Sequence, residues 1–107
     1  MKLQKRPTEP IQYQLKEHEG KENEPTFTLK PLSVGKFDTA GNMHTNGQAI
    51  SALRFCCVHG IKGWTNLEPE YNDATIADSV ERMDTKTFSE LGNKIYEISE
   101  VPEQEKN

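Results

Sequence analysis

The sequence predicts an α+β fold: an N-terminal β-hairpin followed by a small, mostly helical domain of two to four helices. Three observations predict it. Apolar and polar residues alternate over Ile11–Leu15 and again over Thr26–Lys30, the period-2 signature of half-buried strands. Residues 48–59 carry apolar side chains at helical spacing, and Phe88, Leu91, Ile95 and Ile98 form a second helical stripe with 3, 4, 3 spacing.

The elements follow in chain order. Residues 1–10, with two prolines and few apolar groups, read as a flexible lead. Ile11, Tyr13 and Leu15 face one side of the first strand. The polar run from His18 to Glu24 reads as a loop that leaves His18 in solvent, and Phe27 and Leu29 mark the second strand. Pro31 lacks an amide hydrogen and ends the pairing, so the hairpin spans 11–31. A lone hairpin is marginal in water and needs a covering layer. Residues 33–41 suggest one helical turn around Val34 and Phe37, and 41–47 turn chemistry. A helix over about 47–59 follows, its stripe made by Ala49, Ile50, Ala52, Leu53, Cys56 and Cys57. Thr45 or Asn46 is placed to cap it, and Gly60 to stop it in the left-handed conformation.

Ile61–Leu67 reads as an apolar connector around the only tryptophan, Trp64, which serves either as core or as a binding anchor. Residues 68–75 are loop-like, and 76–83 suggest a short helix carrying Val80 and Met83. The last helix covers about 85–100. Thr87 and Glu90 match the Thr-x-x-Glu capping box, with Asp84 placed to cap a slightly earlier start. Gly92 weakens that helix by ~1 kcal/mol relative to alanine, and Pro102 ends it. Residues 102–107 read as a disordered acidic tail, leaving 11–101 as the single domain.

Composition limits function. The 107 residues are 33% hydrophobic and 28% charged, with a mean hydropathy of −0.84. The apolar share lies below the roughly 45–50% of an ordinary soluble domain, which favours a partner-binding protein over an autonomous enzyme. No apolar run approaches the ~20 residues that span a bilayer, and the first ten residues lack the apolar stretch of a secretory signal, so no membrane is expected as a partner. Charge is uneven: residues 1–25 are neutral, 26–65 carry net +3, and 66–107 carry 11 acidic and 4 basic groups, net −7. So acidic a C-terminal part repels phosphate, which disfavours nucleic acid. It reads as a solvated surface or as a docking face for a basic partner.

Few groupings invite chemistry. His44, Cys56, Cys57 and His59 are zinc-type ligands, but adjacent cysteines on a helix lie about 100° apart and cannot easily face one ion. They read instead as small core residues in a reducing compartment, and a Cys-His catalytic pair lacks the exposed, low-pKa setting it needs. Glu68/Glu70 and Asp73/Asp78 read as solvated surface carboxylates. No phosphate loop, nucleophile elbow or calcium loop is present. The expectation is no catalytic residue, no cofactor and no metal.

Three stretches carry a resemblance. Glu24-Pro-Thr-Phe-Thr-Leu-Lys-Pro-Leu32, Ile61-Lys-Gly-Trp-Thr-Asn-Leu67 and Phe88-Ser-Glu-Leu-Gly-Asn-Lys-Ile-Tyr-Glu-Ile-Ser99 are similar, in order and spacing, to segments of the small tail assembly chaperones of long-tailed bacteriophages. Tyr71-Asn72-Asp73 and Ile76 stand where that family often carries a Gly-containing turn and a phenylalanine. The resemblance implies a non-enzymatic protein of the host bacterial cytoplasm, absent from the mature virion. It would bind the tape measure protein, assist assembly of the tail tube protein, and self-associate. Trp64, Tyr96 and Ile98 are the residues expected to meet the partner. The alternatives are a head–tail connector or tail completion protein, and a small Cys/His zinc or thiol protein.

Overall fold

In the computed structural model, which describes residues 9–100, the chain is an α+β domain: a three-stranded antiparallel sheet and four α-helices. The expected flexible lead and acidic tail lie outside the described residues, apart from positions 9 and 10, both exposed. No described helix is long and apolar enough to cross a membrane.

The hairpin forms as its alternation requires. Strand β1 (Ile11–Tyr13) pairs with β2 (Thr26–Leu29), placing Ile11 opposite Leu29 and Tyr13 opposite Phe27. Phe27 and Leu29 point into the core and are almost fully buried. The connecting loop is clipped by Gln14, whose amide donates to the Lys21 carbonyl and accepts from the Gly20 amide. The sheet has a third member that the alternation did not predict. Ile61–Thr65 is a strand, β3, rather than a connector, and it pairs with the other edge of β2, Phe27 opposite Trp64. A register shift at Thr28/Leu29 absorbs an irregularity there. Its pattern is interrupted by Gly63, which presents no side chain to signal a face.

The first helix is also longer than expected: α1 runs over Val34–Thr45, not one turn. Ser33 caps it, its hydroxyl accepting from the Lys36 amide. Its glycines and polar residues give little intrinsic helicity. Packing supplies what propensity does not, through fully buried Ala40 and through Phe37 stacked 4.8 Å from Tyr96. The helix ends in a Schellman motif: Gly47 sits at φ +78°, its amide donates to His44 and the Gln48 amide to Met43. The left-handed glycine stop is therefore Gly47, and Thr45 and Asn46 close α1 instead of capping the next helix. Helix α2 (Ala49–Gly60) starts at Gln48 without a side-chain cap.

Helix α2 buries Ala52, Leu53, Cys56, Cys57 and Gly60. Ile50, placed in the same stripe by spacing, is 56% exposed, because the first turn of α2 is left uncovered. A short helix α3 (Ile76–Glu81) and the long α4 (Thr85–Ser99) complete the domain. Asp84 caps α4 by accepting from the Thr87 amide at 2.9 Å. Glu90 takes no part in a capping box. Its carboxylate accepts from the Tyr13 hydroxyl at 2.5 Å and the Lys16 amide at 2.8 Å, tying α4 to the hairpin. Phe88, Leu91 and Ile95 are buried as the stripe requires, and Ile98 is half-buried.

Two glycines set the approach of α2 to α4. A Cβ on Gly60 would lie 2.5 Å from Ile95 Cγ2, and one on Gly92 would lie 2.9 Å from Leu53 Cδ2 and 3.0 Å from the Leu53 carbonyl oxygen. Gly60 is helical and serves this contact rather than a left-handed stop. Gly92 is thus retained against its helix propensity. Gly35, in α1, meets nothing within 4 Å. Gly92→Ala should therefore destabilise the fold by about 1–2 kcal/mol, overpacking outweighing the gain in propensity. Gly35→Ala should stabilise it by about 0.5 kcal/mol. Urea unfolding of the two variants checks this opposition of sign.

A second tie crosses the far end of α4. Ser99 is fully buried; its hydroxyl donates to the Ile95 carbonyl at 2.6 Å and accepts from the Leu32 amide at 2.8 Å. Ser99→Ala leaves that buried amide without its acceptor and should cost about 1–3 kcal/mol, read as a lower urea midpoint at unchanged slope.

Candidate functional site: an apolar groove beside Trp64

Between the sheet and the α3–α4 corner lies an open groove of about 690 Å³. Its floor is apolar: Leu15 and Phe27 from the hairpin, Trp64 from β3, Leu67 beyond it, and Met83 between α3 and α4. Pro25 and Pro69 also line it, and Asp78, Arg82 and Thr87 belong to the wall built by the two helices. This volume and apolar lining match a site for a ligand or for a few side chains of a partner.

Trp64 is the best-held part of the floor. Its ring is edge-on to Phe27 at 6.1 Å and to Tyr71 at 5.0 Å. Its indole Nε1 donates to the Pro69 carbonyl at 2.8 Å. The Tyr71 hydroxyl in turn lies 2.9 Å from the Ile61 carbonyl and 2.5 Å from Asp73 Oδ1. With its one polar atom satisfied and its orientation fixed, the half-buried indole meets an incoming apolar group at little entropic cost. Trp64 both packs against the core and lines the groove floor.

The rim is polar and mostly acidic. Glu17, Glu70, Asp78 and Asp84 face Arg82 as the one Lys or Arg among the lining residues. Arg82 pairs with Asp78 at 3.0 Å, and Lys86 reaches Glu17 at 3.0 Å. The hydrogen bonds from Thr87 hold the Asp84 carboxyl below its ordinary pKa. His18 is not free in solvent. It sits in a 3-10 turn over Lys16–His18, with Nε2 3.4 Å from Glu24 and a buried Nδ1 that has no partner among the described residues.

The other residues of interest lie elsewhere. Tyr96 packs between Phe37 and His44 on the α1 side, and Ile98 is packed against the core; neither lines the groove. The structure thus brings Trp64, but not Tyr96 or Ile98, to this site. His59 lies tilted against Phe55, ring centres 4.4 Å apart, and burial together with Lys36 and Lys62 pushes its pKa down. No group of three or more His, Cys, Asp or Glu among the described residues is placed to hold a metal ion. Cys56 and Cys57 are buried, and Cys57 Sγ contacts the Phe88 carbonyl. Burial pushes their thiols up to about 11 and about 12, Cys56 adding to the shift of Cys57. Sequence reasoning placed Leu15 on a strand face and Leu67 in the connector but gave neither them nor Met83 a place in a groove, because residues from separate segments carry no local signal that they will meet.

Both thiols should therefore resist Ellman's reagent at pH 8 while the protein is folded and react once it is unfolded in guanidinium. Fast labelling of either thiol in the native protein would contradict their placement.

No protein-family model, curated protein or solved structure matches this chain.

Proposed function

We propose that this chain is a non-enzymatic binding protein that holds an apolar helical segment of a longer partner in the Trp64 groove. In this reading it serves as a tail assembly chaperone of a long-tailed bacteriophage, with the tape measure protein as partner and the tail tube as the structure whose assembly it assists. The observation that carries the binding reading is the groove floor itself: Trp64, Leu67 and Met83 are half-buried apolar side chains that the domain's own helices leave uncovered. An amphipathic helix covers such a floor with anchors at i, i+3 or i+4, and i+7. The phage assignment is supported by the three stretches quoted from the sequence, one of which contains Trp64. Thiol chemistry is opposed by two cysteines that burial keeps protonated.

Co-expression with a tape measure protein tests the proposal. The wild-type chain should keep that protein soluble, and Trp64→Glu and Leu67→Asp should each weaken the complex by an order of magnitude or more, since one large apolar anchor contributes roughly 1.5–3 kcal/mol. Circular dichroism and thermal melts separate lost binding from lost folding. A tape measure protein equally soluble without this chain rejects the phage assignment. Unchanged affinity in both variants rejects the groove.

A further inference from the structure

We propose that the segment seated in this groove carries lysine or arginine beside its apolar anchors, so that the site selects basic-flanked apolar helices. The inference rests on the binding reading above and specifies its partner.

The apolar floor supplies attraction without discrimination among apolar segments. Discrimination must come from the rim. Four carboxylates stand there against one guanidinium, and that guanidinium is already engaged with Asp78. Lys86 answers Glu17. Glu70 and Asp84 have no cationic partner within ion-pairing distance among the described residues. Glu24, next to His18, adds a further negative charge at the hairpin end. The imbalance is not local noise, because residues 66–107, which supply most of the rim, carry net −7. The rim carboxylates are solvent-exposed, so their field acts through water and is screened by salt. An acidic segment entering the groove would meet repulsion, and a basic one would find partners for Glu70 and Asp84. The chain's own basic residues Lys30, Lys36 and Lys62 do not line the groove, so beyond the Arg82–Asp78 and Lys86–Glu17 pairs no described cation forms an ion pair with Glu70 or Asp84.

The test uses the full chain and a random-peptide display library, with binders to Trp64→Glu subtracted. Trp64 is the only tryptophan, so its emission reports occupancy of the groove by each synthesised peptide. Selected peptides should combine an apolar i, i+3/i+4 pattern with adjacent Lys or Arg. Their affinity should fall roughly three- to tenfold in Glu70→Lys, a substitution at an exposed site, and fall again as salt is raised from about 0.05 to 0.5 M. Selected peptides that are apolar without basic enrichment, and indifferent to Glu70→Lys and to salt, would overturn this inference and leave the groove reading standing. If no peptide prefers the wild type to Trp64→Glu or changes Trp64 emission, the groove reading fails and the inference with it. A concentration-dependent dimer abolished by Leu67→Asp would put a second copy of the chain in the groove and overturn the proposal in favour of self-association.

Discussion

The close crossing of α2 and α4 is the constraint on which the rest of the domain depends. Gly60 admits Ile95, and Gly92 admits Leu53 with its carbonyl, so the helices meet where two Cβ atoms are missing. Protein interiors are packed too densely for either contact to loosen without moving the whole helix. Once α4 is seated there, its length decides three other positions. Its first turn places Asp84 and Thr87 at the groove. Its middle sends Glu90 to Tyr13 and the Lys16 amide, and its last turn delivers Ser99 to the Leu32 amide. The hairpin is thus held to a helix more than 70 positions away in sequence by a carboxylate, and the segment after β2 by a hydroxyl. Both are polar bonds that depend on a register set by two glycines.

A chain of this size has too little apolar material to close every surface. The sheet covers one side of the helices, and α1 covers another through Ala40 and through Phe37, which meets Tyr96 of α4. The corner between β3 and the α3–α4 turn is left as a trough. What distinguishes this trough from an accidental gap is the state of Trp64. Ring contacts on both sides and a hydrogen bond from Nε1 to Pro69 fix an aromatic side chain that remains half-buried. A partner binding there as proposed would meet a side chain whose ordering is already complete.

The legible parts of the fold are those whose signal is local. Ile11/Tyr13 and Phe27/Leu29 alternate, and they form the expected hairpin. Phe88, Leu91 and Ile95 repeat at helical spacing, and they face the core. The illegible parts owe their form to contacts distant in sequence. Helix α1 carries poor helix formers and persists because Ala40 and Phe37 have somewhere to pack. Strand β3 shows no clean alternation because Gly63 blanks one of its positions, and it exists because β2 offers a free edge. Gly60 and Gly92 look like a stop signal and a weak spot, and only the three-dimensional neighbours, Ile95 and Leu53, reveal that both are contact points. The groove was legible at one residue, Trp64. Its remaining floor joins Leu15, Phe27, Leu67 and Met83 from separate segments, and no periodicity links residues that meet only after folding.

The placement of charge follows from the same topology. Three carboxylates of the acidic C-terminal part, Glu70, Asp78 and Asp84, line the corner that the helices leave open. Glu17 from the hairpin loop joins them there, partnered by Lys86 of α4. The basic middle of the chain forms α1, α2 and β3, and two of its cations, Lys36 and Lys62, act instead on His59. In a chain of net charge −4, the groove lining is itself more acidic than basic, four carboxylates against Arg82. In the proposed complex such a field would orient an approaching chain before contact. The apolar floor would then determine how long it stays, because desolvated side-chain contacts govern dissociation more than encounter. On that proposal, encounter and retention would rest on different residues, the rim carboxylates for the first and Trp64 with its neighbours for the second.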